Sequence, residues 1–138
     1  MDVPLQRIPE LAASRVTERI NSGEFSTKLS RQQYLKHTKG TAQYNQYKID
    51  REAKNKHPQS ELLISEMEAQ QLILDSAGTG IVGVNRKTGE MLPFESITSK
   101  KIIGRTWSGD KYVKTRKARI FYGSKSAHIV PIGGMNYD

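Results

Sequence analysis

In the first part of the chain, apolar residues recur every three or four positions, which is the spacing of one face of an α-helix. The first such run consists of Ile8, Leu11, Ala12, Val16 and Ile20. Pro9 suits a first helical turn, and Asn21-Ser22-Gly23 is a stop signal. The pattern therefore predicts a helix over about 9–21.

Hydroxyl residues mark the starts of three further helices. Ser30 with Gln33 has the spacing of a capping box and predicts a short helix that carries His37 and ends at Gly40. Thr41 is a candidate cap for a helix over roughly 42–55, which ends before a proline because the preceding residue avoids the helical region.

The third start is Ser65, which forms a second capping-box match with Glu68. The predicted helix has Gly78 as its C-cap. On its buried side we expect Met67, Leu72 and Ile73. Residues 62–64 before it are apolar and predict a short strand or a linker.

After Gly80 the pattern changes to short apolar runs separated by turn residues, which is typical of antiparallel strands. One predicted hairpin joins 81–84 to 91–94. A second joins 101–107 to 112–122, and a last strand covers about 127–132. The chain is therefore predicted to be α+β, with N-terminal helices packed on a twisted antiparallel sheet of four to five strands.

Composition limits the classes of protein to which the chain can belong. With 138 residues, 36% of them hydrophobic, it can form one domain with one core. It lacks cysteine, which excludes disulfides and thiolate metal sites, and no apolar run approaches the length of a membrane span. Its three histidines are scattered and have no acidic cluster beside them, so we expect neither a metal nor another cofactor.

The net charge of +8 is concentrated in two segments. Residues 81–138 hold 11 Lys/Arg and 4 Asp/Glu, a net +7, whereas residues 1–80 hold 11 and 10. Within the first part, residues 28–57 carry eight Lys/Arg against two acidic residues. Two basic segments are typical of a cleft that binds a polyanion, and the alternative is a solubilising surface that binds nothing.

Each basic segment contains a histidine beside lysines and hydroxyls. One cluster is Lys36-His37-Thr38-Lys39-Gly40-Thr41, and the other is Lys125-Ser126-Ala127-His128. Two imidazoles are sufficient to cut RNA without a metal: one takes the proton of the 2′-hydroxyl and the other protonates the leaving 5′-oxygen. A lysine beside them stabilises the charge on the phosphorane. A structural alternative is that His37 caps a helix and that His128 points inward.

Other residues are candidates for binding the substrate. Thr79 lies between two glycines, in a loop that could offer backbone N–H groups to a phosphate. Thr115, Lys117 and Arg119 are predicted to share one face of a strand, and Tyr44 and Tyr122 are candidates for stacking on bases. The alternatives are a tight turn, a solvated strand face and half-buried tyrosines. We expect His57 to be a surface residue and Trp107 to be core.

Three motifs, in this order along the chain, resemble the type 50 polymorphic-toxin domain. They are Leu29-Ser30 through Lys36-His37-Thr38-Lys39-Gly40-Thr41 to Tyr44, then Ala77-Gly78-Thr79-Gly80, then Arg119 through Pro131. The resemblance covers about 28–132. It implies a ribonuclease toxin of the broad barnase/EndoU/colicin/RelE-like group, with helices packed on an antiparallel sheet and a small cognate immunity protein. Such domains end large bacterial secreted proteins, including contact-dependent inhibition effectors.

The residues and the resemblance together predict a metal-independent endoribonuclease, with tRNA as the favoured RNA, that acts in the cytoplasm of a competing cell. His37, His128, Lys125 and Thr79 are the catalytic candidates. The substrate-binding candidates are Lys36, Lys39, Thr41, Tyr44, Thr115, Lys117, Arg119 and Tyr122.

The expected partners are RNA and an acidic immunity protein. Residues 1–27 lie outside the motifs and are expected to be a junction from a longer parent protein, with 28–138 as the toxin domain. The alternatives are a basic nucleic-acid-binding module without catalysis and a phage structural module.

Overall fold

A computed structural model describes residues 9–133 of the chain, and its side chains over 14–133. The helices are α1 (Pro9–Asn21), α2 (Arg31–Lys36), α3 (Ala42–Ala53) and α4 (Glu66–Ser76). The strands are β1 (Glu61–Leu62), β2 (Ile81–Val84), β3 (Met91–Thr98), β4 (Gly104–Trp107), β5 (Tyr112–Thr115), β6 (Lys117–Tyr122) and β7 (Ala127–Pro131). The predicted α+β class is confirmed. Ile8 and the side chains of Leu11 and Ala12, which belong to the predicted α1 face, lie outside the described part.

The predicted helix starts are confirmed because each depends on local hydrogen bonds. The side chain of Ser65 accepts from the backbone N–H of Glu68, whose own side chain accepts from the backbone N–H of Ser65, which completes a capping box. Thr41 caps α3 by accepting from the N–H of Tyr44 at 3.0 Å. Ser30 caps α2 through the N–H of Gln33.

The predicted orientation of α4 is wrong at one residue. Ala69 and Ile73 are completely buried, and because they are four residues apart they define the face of the helix that packs on the core. Met67 lies two residues before Ala69 and therefore on the other side, where 83% of it is exposed. Gly78 follows the C-cap residue Ala77 and has a φ of 81°, a conformation that favours glycine.

The strands are divided between two antiparallel sheets. One sheet has the order β2-β3-β6-β7 and the other has the order β1-β4-β5. The predicted single strand over 112–122 is wrong, because the chain passes from one sheet to the other at Arg116. There the hydroxyl of Thr115 accepts from the N–H of Lys117 at 3.0 Å. Thr115 consequently does not share a sheet face with Lys117 and Arg119.

The four-stranded sheet has one buried face. Alternate residues of its strands, among them Val82, Ile97, Ile120 and Ile129, form the core together with Ala69 and Ile73 of α4. Val16 of α1 belongs to the same core, and Phe25 stacks on Tyr122 with ring centroids 4.9 Å apart. None of the helices in the described part has the length and apolarity needed to cross a bilayer.

Candidate active site

His37 and His128 line the same pocket, which has a volume of about 300 Å³. It lies where the end of α2, the middle of α3 and the segment before β1 meet the β7 edge of the four-stranded sheet. Its lining consists of Gln33, His37, Tyr47, Arg51, Gln59, Ser60, Phe121, His128 and Val130. Residues far apart in the sequence therefore form one site.

His37 is held by its backbone and by its ring. It is the C-cap residue of α2, and its carbonyl accepts from the N–H of Leu62 at 2.8 Å, which ties the end of the helix to β1. The ring nitrogen Nδ1 lies 2.8 Å from the carbonyl oxygen of Ser60. Because a carbonyl only accepts, Nδ1 carries the proton and the neutral ring has its lone pair on Nε2. The side chain is thus oriented before any ligand arrives.

His128 is positioned by β7. Its ring stacks on Phe121, its cross-strand partner in β6, with centroids 4.8 Å apart and an interplanar angle of 13°. At the start of β7, the carbonyl of Ala127 accepts from the N–H of Ser30 and its N–H donates to the carbonyl of Lys28, both at 2.7 Å. These two hydrogen bonds join the entry of α2 to β7, which explains why the two histidines lie in one pocket.

Two cations lie near the pair, and both contact the ring of Tyr47. The ammonium of Lys36 and the guanidinium of Arg51 are each 5.4 Å from the centroid of Tyr47. Arg51 also donates through Nε to the carbonyl of His57 at 2.6 Å and through Nη1 to the hydroxyl of Tyr47 at 3.2 Å. The positive charge of Arg51 is therefore fixed in place at the pocket wall.

The surroundings favour neutral imidazoles. Burial lowers the pKa of His37, the hydrogen bond to Ser60 opposes this, and the charges of His128, Arg51 and Lys36 lower it further. Burial lowers the pKa of His128 as well, with a further contribution from the charge of Lys36. Near neutral pH the pocket therefore presents two neutral rings next to two permanent cations.

The lining contains no acidic residue among those that the structure describes. Over the same part of the chain, no group of three or more His, Cys, Asp or Glu side chains is arranged to hold a metal ion. A phosphodiester in this pocket would meet Arg51 and Lys36 without a repelling carboxylate. The arrangement suits an anionic ligand and proton transfer by two imidazoles.

The lysines predicted from the sequence take different positions. Lys36 is not among the lining residues, but its charge lowers the pKa of both histidines. Lys125 is exposed in the turn between β6 and β7, three residues before His128. Lys39 is exposed, and its charge acts on Glu61. Lys125 and Lys39 do not line the pocket, so their contribution to it is limited to longer-range attraction.

Two of the predicted hydroxyl residues form hydrogen bonds within the fold. Thr41 donates to the carbonyl of Leu35 at 2.7 Å while it caps α3. Thr115 is 5% exposed and donates to the carbonyl of Ile132 at 2.8 Å. Neither hydroxyl faces the pocket.

Both predicted stacking tyrosines are buried and their hydroxyls donate to buried carboxylates. Tyr44, 6% exposed, donates to Glu61, and Tyr122, also 6% exposed, donates to Glu95 at 2.6 Å. Burial raises the pKa of both tyrosines, and the neighbouring carboxylates raise it further, so both stay neutral donors. A base has no access to either ring in this arrangement.

The loop at Thr79 has a partner inside the protein. The N–H groups of Gly78 and Gly80 donate to the two carboxylate oxygens of Glu95 at 2.9 and 2.8 Å. The Thr79 hydroxyl is exposed and donates to the carbonyl of Ser76 at 2.6 Å. The backbone N–H groups that were candidates for binding a phosphate thus donate to a buried carboxylate instead. Thr79 is not part of the pocket.

Sequence reasoning did not select Arg51, Tyr47, Ser60 or Phe121 as site residues. A signal was present for two of them, because Tyr47 and Arg51 are four apart on α3 and share a helix face. Ser60 acts through its backbone carbonyl, which no residue type reveals. Phe121 could have been found from its place on the same strand face as Arg119.

The model of a protein family described as bacterial toxin 50 matches residues 29–131, which include the whole pocket. No curated protein and no solved structure matches the chain.

Proposed function

The chain belongs to the bacterial toxin 50 family, and we propose that it is an endoribonuclease toxin that cuts RNA without a metal ion. The observation that carries this proposal is the placement of His37 and His128 in one pocket with Arg51, beside Lys36. The absence of acidic residues from the described lining further supports it, because Mg²⁺ is usually bound through carboxylates.

His37 is assigned as the general base. Its Nδ1 proton is donated to the carbonyl of Ser60, so the free lone pair is on Nε2. Its lowered pKa keeps the ring neutral and able to accept the proton of a 2′-hydroxyl. The 2′-oxygen then attacks the adjacent phosphorus, and the negative charge that develops on the phosphoryl oxygens lies beside Arg51 and Lys36.

His128 is assigned as the general acid. It is the more exposed of the two residues, and Lys36 is the one charge that lowers its pKa, whereas His128, Arg51 and Lys36 all lower that of His37. A bound phosphodiester brings a negative charge that raises the pKa of His128 and favours its protonated form. As the bond from phosphorus to the 5′-oxygen breaks, His128 gives its proton to that oxygen. The products are a 2′,3′-cyclic phosphate and a 5′-hydroxyl.

As a toxin domain, the protein is expected to act in a target cell after delivery by a larger secreted protein, with tRNA as the favoured substrate. Residues 28–138 form the toxin domain in this proposal, and Val16 and Phe25 of the preceding segment pack into its core. The cell that produces the toxin needs protection from it. An acidic immunity protein that covers Lys36, Lys39, Lys117, Arg119 and Lys125 would block the pocket. Association with that protein should slow steeply as salt is added, and salt-independent association would contradict this partner.

The activity is tested by incubating the pure protein with total RNA in excess EDTA and examining the ends of the fragments. We expect cleavage at full rate, with 2′,3′-cyclic phosphate and 5′-hydroxyl ends. Cleavage that requires an added divalent metal, or that leaves 5′-phosphate ends, would contradict the mechanism.

A further inference from the structure

The four-stranded sheet has a second face that does not belong to the core. We call it the outer face. It consists of Ile81 and Gly83 of β2, Phe94, Ser96 and Thr98 of β3, Lys117, Arg119 and Phe121 of β6, and His128 and Val130 of β7. Each of these residues is exposed or half-buried, whereas the alternate residues of the same strands are mostly buried. The outer face is therefore accessible to a ligand.

Aromatic rings lie side by side across the outer face. Phe121 stacks on His128 at 4.8 Å on one side and lies 5.6 Å from Phe94 on the other. The ring of Phe94 lies over Gly83, where an added Cβ would come within 2.3 Å of the ring. Glycine at this position lets the ring lie close to the sheet. The rings form a row that begins at the catalytic histidine and crosses three strands.

Cations accompany the aromatic row. The guanidinium of Arg119 is 4.7 Å from the centroid of Phe94. Lys117 lies on the same face of the same strand, two residues away. Aromatic rings beside cations bind single-stranded nucleic acid in many proteins, because bases stack on the rings while the cations attract the phosphates. An apolar protein partner would not need these charges.

We propose that the outer face is a binding site for an unpaired nucleobase next to the cut phosphodiester, with Phe94 and Phe121 as the stacking surface and Arg119 as the phosphate contact. The inference rests on the proposed function, since the histidine pocket places the phosphodiester at one end of the row. It specifies the substrate as RNA that is single-stranded at the cut, because a base within a duplex cannot expose its face to Phe94. Double-stranded RNA should be a poor substrate.

The first experiment measures binding without cleavage. A short 2′-O-methyl RNA, which has no nucleophile, carries a single 2-aminopurine at successive positions, and stacking quenches its fluorescence. We expect quenching at one position, lost in Phe94→Leu and retained in Phe94→Tyr, which keeps an aromatic ring. Leu74→Ala, which shortens an exposed side chain on α4, is the control and should leave quenching unchanged. Quenching at no position, or equal quenching with Phe94→Leu, would overturn the inference.

The second experiment measures cleavage of RNA in which one nucleotide lacks its base. Loss of the stacked base and Phe94→Leu should each lower kcat/KM by about 5- to 100-fold. The two changes together should cost no more than one alone, because they remove the same contact. Additive losses would overturn the inference and leave the ribonuclease proposal intact. If RNA is not cleaved but quenching depends on Phe94, the ribonuclease proposal fails and the base site stands.

Discussion

The histidine pocket and the two buried carboxylates in the described part of the chain both gather polar groups from distant parts of the sequence, but only the carboxylates have complete sets of partners. Glu95 accepts from two backbone N–H groups and from Tyr122. Glu61, 2% exposed, accepts from Tyr44 and from Arg105, whose Nε lies 2.6 Å away. Burial raises the pKa of Glu61, but these two hydrogen bonds and the charge of Arg105 outweigh it and leave the pKa lowered.

In the histidine pocket, polar side chains are hydrogen-bonded to the backbone on one side, and on the other side they line the cavity. Nδ1 of His37 and Nε of Arg51 are bound to backbone carbonyls, while the side chains of His37, His128 and Arg51 line a cavity of about 300 Å³. A group whose hydrogen bonds are all made inside the fold stabilises the structure. Groups that are oriented but incompletely paired are available for a ligand. We therefore expect substitutions in the pocket to reduce mainly catalysis, and substitutions at the buried carboxylates to reduce mainly stability.

The largest expected effect is on catalysis. His37→Ala and His128→Ala should each lower the rate of RNA cleavage by about 10²–10⁴, because each removes one proton transfer, while the protein stays folded. The third histidine supplies the matched control. His57 is exposed and contacts Arg51 only through its carbonyl, so His57→Ala should retain full activity. A His128 variant with normal activity would remove that residue from the mechanism.

The next effect is on stability. Glu95→Gln keeps the shape of the side chain but places an amide against three donors, and it should lower the free energy of unfolding by about 2–4 kcal/mol. The rate per folded molecule should stay within a small factor of the original, since Glu95 does not line the pocket. Glu90→Gln, at an exposed position in the β2–β3 turn, is the control in the same denaturation assay. Equal stability of the two variants would show that the comparison is mistaken.

Removal of one fixed cation should lower catalysis less than the loss of either histidine. Arg51→Ala takes away a charge beside the developing phosphorane and should lower kcat by about a hundredfold. Lys48→Ala removes an equal charge from an exposed position on the same helix, outside the pocket lining. Lys48→Ala should leave kcat unchanged and should alter the salt dependence of RNA binding only slightly. Equal losses of kcat in steady-state assays would mean that net charge, and not the position of Arg51, matters.

The smallest effect concerns pH and stability. Folding lowers the pKa of His37 and His128 below the ordinary value of 6.5, so the unfolded chain binds more protons in that window. The stabilisation is complete above about 6.5 and is lost as the pH falls through the window, by about 1.4 kcal/mol for each unit of pKa shift. Urea titrations should show a weaker loss in His37→Asn, with His57→Asn as the control. An unchanged pH dependence in His37→Asn would contradict the lowered pKa.

Local signals in the sequence were sufficient for the helices and the fold class. Ser30, Thr41 and Ser65 cap their helices through residues three positions away, so the information lies within one turn. The break at Arg116 and the division into two sheets were not predictable in the same way. They depend on pairings between strands that are distant in sequence, such as β4 with β1 and β6 with β3.

For the candidate site, the sequence predicts only the chemistry that each residue type can support. Two histidines beside lysines suggested a shared site, and the structure places both in one pocket. The roles given to Tyr44, Tyr122 and Thr79 depended on exposure and free donors. Those properties are set by Glu61 and Glu95, which lie 15 to 27 residues away in sequence. A buried carboxylate cannot be recognised from sequence until its partners are known.

The central claim is that His37 and His128 transfer protons to and from opposite oxygens of one phosphodiester. The most direct test uses an RNA in which sulfur replaces the 5′-oxygen at the cut, because a thiolate leaves without protonation. His128→Ala should be nearly inactive on ordinary RNA and regain most of its rate on this substrate, whereas His37→Ala should remain impaired on both. Equal rescue of the two variants, or rescue of neither, would contradict the assignment of base and acid.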